Sequence, residues 1–261
     1  MTESHARSSK KRLALEIARC PVVEAVLRAD PAAAACRAVV EYQRCEPALR
    51  WVPEPWSGHL AEAAILLVSS NPGSGKPNDP HSLDQITASS SDDEILHSFD
   101  NAFDDGPWPG VADGVYLRDR DGIRGKYVRY WGWAMSIAEE LLQRSPRPGL
   151  DYALTELVHC GSRDEVGVWD AVTDCVPRYF ERVMATAPAP VVLVVGAVAR
   201  EMVRVTHPEL SPVDGRVVTG VLGGRNRLIA YVPHPSAFGP KTVMASVGEP
   251  GLAELRSALA G

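Results

Sequence analysis

The stretch Ala63-Ala64-Ile65-Leu66-Leu67-Val68-Ser69-Ser70-Asn71-Pro72-Gly73 is apolar without interruption through Val68 and then breaks into turn chemistry. A strand with one wet face alternates apolar and polar residues. A continuous apolar run closed by a turn is the pattern of a parallel strand buried on both faces. Three further runs have the same character: Ala153 to Val158, Pro190 to Gly196, and Arg227 to Val232, the last ending at Pro233-His234-Pro235. Helical segments at about 127–143, 168–186 and 197–206 separate them. This alternation predicts an α/β fold of three layers (α/β/α), with helices on both faces of a mostly parallel central sheet of about four strands. Ligands of such sheets bind beyond the carboxyl ends of the strands. The loops after Ser70, Val158, Val195 and Val232 are therefore the ones to read for function.

Upstream of the first strand, residues 12–46 read as helical, carried by Leu13, Ile17, Val23, Val26, Leu27, Val39 and Val40. Residues 1–46 are expected to form a helical extension packed on a domain spanning 47–261. The segment Trp51-Val52-Pro53-Glu54-Pro55-Trp56 is stiffened by its prolines and cannot continue a helix. Between Pro72 and Lys126 lies a long polar stretch containing Ala88 to Glu94 and Asp104-Asp105-Gly106-Pro107. It is expected to be an insert at about 77–125, either a functional lid or a disordered segment.

A chain of 261 residues accommodates one large α/β domain, with or without an N-terminal appendage. Its 45% hydrophobic and 23% charged content is ordinary for a soluble globular protein. No apolar run approaches the roughly 18 residues of a membrane span. The polar segment Met1 to Arg12 lacks the apolar core of a signal peptide, so the cytoplasm is the expected compartment. A formal charge of −6 excludes coating of nucleic acid by bulk electrostatics, while leaving room for a local basic groove. In a reducing compartment the five cysteines are not expected to form disulfides. They are small buried hydrophobes or ligands of a metal.

Ser69 to Lys76 leaves the end of the first strand and ends in Gly73-Ser74-Gly75-Lys76. A phosphate-binding P-loop would need glycine at position 70, where Ser70 stands, and Ser or Thr at position 77, where Pro77 stands. A bland reading is a turn closing a strand. The run Ile65 to Gly73 also resembles motif one of the uracil-DNA glycosylase superfamily, a strand ending in Gly-x-Asn-Pro-Gly or Gly-x-Asp-Pro-Tyr, with Ser69 in place of the opening glycine. His234-Pro235-Ser236 resembles the second motif, a turn that follows a strand and precedes a DNA-inserting loop, here Phe238-Gly239-Pro240-Lys241. Thr155-Glu156-Leu157-Val158-His159-Cys160 is similar to the family's Thr-Asn-x-x-Lys-Cys strand, and Val191 to Ala199 to an apolar run ending in Leu-Gly-x-x-Ala. The resemblance covers about residues 42–247 in the family's order.

The resemblance implies a uracil-DNA glycosylase-like fold and hydrolysis of the N-glycosidic bond of a flipped, damaged or deaminated base, uracil or a relative. The partner is then DNA, single- or double-stranded, bound by a monomer. Asn71 would position the attacking water, and His234 would stabilise charge on the leaving base. Tyr127 or Tyr130 would stack on that base, within a pocket completed by Ser70, Pro72, Gly73, Glu156 and Ser236. Phe238 and Lys241 would touch DNA. Cys160 and Cys175, 15 positions apart, resemble two cluster cysteines of the family's iron–sulfur members, and Cys45 resembles a third. Tyr42 stands where the fourth is expected, so Cys36, or with less support Cys20, would complete the ligands of a 4Fe–4S cluster. Such a cluster would brace loops and take no part in the chemistry.

Glu156 departs from the family's asparagine. An ionised glutamate only accepts hydrogen bonds, so it would repel the O4 of uracil and favour a base presenting a donor. Alternatively, Glu156 pairs with an arginine and never faces the pocket. Two other functions stay open: a catalytically inactive nucleic-acid-binding protein on the same fold, and an unrelated α/β nucleotide-binding protein.

Overall fold

Strand β1 (Ile65–Ser69) lies inside a five-stranded sheet, hydrogen-bonded on one edge to β5 (Tyr152–Glu156) and on the other to β6 (Val191–Val195). The computed structural model describes residues 3–42, 50–73, 86–162, 164–211 and 215–260. Beyond β6 come β8 (Arg225–Val232), also parallel, and β7 (Val218–Leu222), antiparallel on the far edge, giving the order β5-β1-β6-β8-β7. All five residues of β1, β5 and β6 are buried, as their apolar runs predict.

Side chains alternate across the pleat, so each strand serves two cores. Ile65, Leu67, Tyr152, Leu154, Val191 and Leu193 face α5 (Arg129–Leu142) and α9 (Val243–Leu259). Leu66, Val68, Ala153, Val192 and Val194 face the other way, toward α6 (Val168–Cys175), α7 (Glu181–Thr186) and α8 (Ala197–Thr206). The N-terminal helices α1 (Glu3–Ala18), α2 (Pro21–Leu27) and α3 (Arg37–Tyr42) join this second core through Leu13, Ile17, Val23 and Val39.

Three expectations need correction. The helical reading of 12–46 becomes separate pieces, because Pro21 and Pro31 each start a new helical turn and cannot continue the preceding one. The sheet has a fifth strand, β7, joined to β8 by the two-residue turn Gly223-Gly224 with φ of +60° and +73°, the glycine-dependent hairpin turn. The polar insert is also ordered where described. It holds α4 (Asp92–Asp100), started by a capping box in which Ser91 Oγ accepts from Glu94 N and Glu94 accepts from Ser91 N. It also holds a small antiparallel sheet of β2 (Gly110–Ala112), β3 (Tyr116–Arg118) and β4 (Arg124–Tyr127). Lys10 on α1 pairs with Asp100 at 2.6 Å, tying the insert to the N-terminal helices.

One buried cation ties β8 to the end of α7 and to the β7–β8 turn. Arg227 is 2% exposed and donates to the carbonyls of Leu222, Met184, Ala187 and Ala189. It thereby satisfies the orphan carbonyls at the end of α7 and fixes the turn into β6. Burial pushes its pKa down to about 10, so it stays charged near neutrality. Arg227→Met should keep the volume but orphan these carbonyls, lowering stability by ~2–4 kcal/mol with little change in m-value. Urea denaturation checks this, and an unchanged midpoint would remove Arg227 from the account.

Candidate active site

The loops after β1 and β5 are zipped together beyond the sheet. Leu157 N and Val158 N donate to Ser69 O and Ser70 O, both at 2.9 Å, and Ser162 N donates to Pro72 O at 3.2 Å. On the other side Gly196 N donates to Val232 O at 2.8 Å, joining the ends of β6 and β8. Gly196 has φ of +89°, and a Cβ there would stand 3.3 Å from His234 Cβ, so this close approach requires glycine. Strand order reverses at β1, and these loops enclose a cleft of about 720 Å³ at the carboxyl ends.

Asn71 and His234, from the ends of β1 and β8, both line this cleft, as do Ser70, Pro72, Gly73, Tyr130, Glu156 and Ser236. The Asn71 amide is oriented by its own Nδ2, which donates to Pro72 O at 2.9 Å and Ser162 O at 3.1 Å. Its Oδ1 remains as the acceptor, with Ser70 Oγ 3.2 Å away. His234 Nδ1 accepts from Ser236 N at 3.2 Å and lies 2.7 Å from Ser236 Oγ. An Nδ1 that accepts leaves the proton on Nε2, so a neutral His234 presents an N–H donor. Partial burial lowers its pKa, which favours this neutral form. The Tyr130 ring lies 5.8 Å from the imidazole, and its hydroxyl is 2.9 Å from Ser69 Oγ.

Of the two tyrosines proposed to stack, only Tyr130 is in place. Tyr127 sits on β4, 47% exposed, with its ring edge-on to Tyr116 at 5.7 Å, and does not line the cleft. Phe238 is fully exposed in the loop after His234, while the carbonyl of Lys241 accepts from Trp133 Nε1 at 2.9 Å.

Glu156 lines the cleft, against the alternative in which it never faces the pocket, and makes no ion pair among the described residues. The expectation of an ionised carboxylate needs correction as well. Burial, and then the nearby Glu54, push its pKa well above the carboxylate range. Glu54 itself lines the cleft and is raised by burial to about 7. Sequence reading passed over Glu54, since nothing in Val52-Pro53-Glu54-Pro55 marks the strand it will lie against. The described lining carries the acidic residues Glu54, Glu156, Asp164 and Glu165, and no lysine or arginine.

On the opposite side of the β5 loop, Cys20, Cys36, Cys160 and Cys175 line one small cavity of about 20 Å³. All four are buried and free of disulfides. Cys20, the less favoured candidate, thus stands beside Cys36, while Cys45 lies outside the described residues. Tyr179 Oη donates to Cys20 Sγ at 3.3 Å, and Cys36 Sγ lies 3.8 Å from Asp174 Oδ2. Burial raises the Cys160 and Cys175 thiols, and that of Cys36 to about 12, with the other cysteines adding to the effect. Four buried thiols that repel one another as anions suit a thiolate-binding metal group by donor type. The space between them is that of one water, and no three such groups among the described residues are spaced to hold a metal ion.

Among the described residues, no helix is long and apolar enough to cross a membrane. No protein-family model matches the chain, and neither does any curated protein.

Proposed function

We propose that the chain is a DNA base-excision glycosylase of the uracil-DNA glycosylase type, hydrolysing the N-glycosidic bond of a flipped, damaged or deaminated base. The observation that carries this reading is the position of Asn71 and His234, which follow the carboxyl ends of β1 and β8, on either side of β6, and line one cleft with the Tyr130 ring. A cleft of about 720 Å³ has room for a flipped nucleotide.

Each group has a task set by its bonding. Asn71 Oδ1 accepts a hydrogen bond from the attacking water and orients it toward the sugar carbon. The water needs orientation more than deprotonation, because the sugar already carries oxocarbenium character as the bond breaks. His234 donates its Nε2–H to an oxygen of the departing base, where negative charge develops. Tyr130 offers an aromatic face for the base, worth about 1–3 kcal/mol when a base stacks on it.

DNA contact on this reading falls to the rim, including Phe238 and Lys241, since the described lining is acidic. Glu156, standing where the family has asparagine, favours a second reading, a catalytically inactive nucleic-acid-binding protein on the same fold. A 4Fe–4S cluster, if held by Cys20, Cys36, Cys160 and Cys175, would tie α2 and α3 to the β5 loop and take no part in bond cleavage.

Incubation with single- and double-stranded oligonucleotides carrying uracil, hypoxanthine, xanthine or an alkylated base should release at least one of them. Asn71→Ala and His234→Ala should each slow that release about a hundredfold, equivalent to ~3 kcal/mol of barrier, with folding intact. Binding without release from any substrate would select the second reading. Undiminished rates in both variants would place the chemistry elsewhere. For the cluster, anaerobic reconstitution should load about four irons per chain in the parent and fewer in Cys160→Ser. Iron-free parent protein after reconstitution would exclude it.

A further inference from the structure

Glu54 and Glu156 reach the cleft from neighbouring backbones. The extended segment from Glu54 to Ser57 runs antiparallel to β5: Ser57 and Leu154 exchange backbone hydrogen bonds of 2.8 and 3.1 Å, and Glu54 N donates to His159 O at 2.8 Å. Glu156 is 3% exposed, and its Oε2 is buried without a hydrogen-bond partner. Among the described residues, the groups around it supply no cation. The Tyr130 hydroxyl comes from α5 and is held against Ser69 of β1. Asp164 and Glu165 line the cleft from the loop after β5, and the neutral His234 lines it from β8. His159 is buried, with Nδ1 2.7 Å from Glu54 O, and burial lowers its pKa to about 4, so it too is neutral.

Two carboxylates confined together without a cation cannot both ionise cheaply, and one retains a proton. The more deeply buried partner pays the larger desolvation cost on ionising, which places the proton on Glu156. We propose that Glu54 and Glu156 form a proton-holding pair in which neutral Glu156 donates its O–H to an exocyclic carbonyl oxygen of the bound base. This rests on the glycosylase reading and specifies how that site selects its base. A carboxylic acid both donates and accepts, as an amide does, whereas the carboxylate only accepts. Bases with an exocyclic carbonyl, such as uracil and hypoxanthine, are then accepted while the proton is present and rejected once it leaves. The pair is thus a pH gate as well as a specificity determinant.

The test uses the full chain, with Glu156→Gln as a permanently neutral isostere and Glu54→Gln as removal of the neighbouring charge. A buried acid whose pKa is raised on folding stabilises the native state at low pH relative to high pH. That advantage is lost as pH rises from the unfolded value of about 4.3 through the folded one. Between pH 6.5 and 8.5 the parent's unfolding constant should therefore rise more steeply with pH than that of Glu156→Gln, by up to about tenfold per unit. Over the same range, uracil or hypoxanthine release by the parent should fall toward high pH. Release by Glu156→Gln should stay level, and Glu54→Gln should move the fall to lower pH.

Identical stability slopes in parent and Glu156→Gln would overturn the proton-holding pair whatever the activity. A difference in slope with no base released would retain the proton but overturn the base contact together with the glycosylase reading. Release by the parent that is level with pH, alongside the stability difference, would overturn the base contact alone.

Discussion

Strand β1 must be covered on both faces and paired on both edges, and the rest of the molecule is arranged to do so. Its apolar residues leave no face that water can solvate, so helices are required above and below. Its edges are closed by β5 on one side and by β6, which the chain reaches from β5 by crossing to the other side of β1. Where the chain crosses over, the loops at the carboxyl ends part and leave a cleft. Asn71 stands in that cleft because it is the second residue past the end of β1.

The same constraint explains the site's rigidity. Backbone pairing continues past β1 through Leu157, Val158 and Ser162, so the Asn71 loop is fixed by the ladder as well as by the Asn71 amide. On the other wall, Gly196 allows β6 to approach His234 closely, and Ser236 sets the imidazole tautomer. Preorganised donors and acceptors of this kind need little rearrangement during reaction. Behind the β5 loop, four cysteines from the N-terminal helices, the loop and α6 share one cavity, so the extension packs directly behind the cleft wall.

Elements whose burial is complete were the ones legible in the sequence. The four parallel strands announced themselves as continuous apolar runs, and the loops at their carboxyl ends could be named before any geometry was known. Strand β7 was hidden because it lies half-exposed on an edge and carries Gly220, although Gly223-Gly224 was a usable hairpin signal. The short strands of the insert are too brief for period-two alternation to register. In the site, the loops holding Asn71 and His234 were legible from position relative to strand ends, whereas Tyr130 and Glu156 were named from the family resemblance. The raised pKa of Glu156 was not legible, because it follows from its burial and then from Glu54, which is brought alongside only when residues 54–57 pair with β5. Charge state inside a protein is a property of the tertiary neighbourhood, and here the neighbour lies about a hundred residues away.

The central claim is that the cleft cuts the bond between a base and its sugar. Mass spectrometry of a uracil- or hypoxanthine-bearing oligonucleotide after a single turnover tests it most directly. The account predicts a strand lighter by the mass of one free base less one water, leaving an abasic sugar in an unbroken strand. An oligonucleotide recovered at its starting mass after complete binding would contradict it.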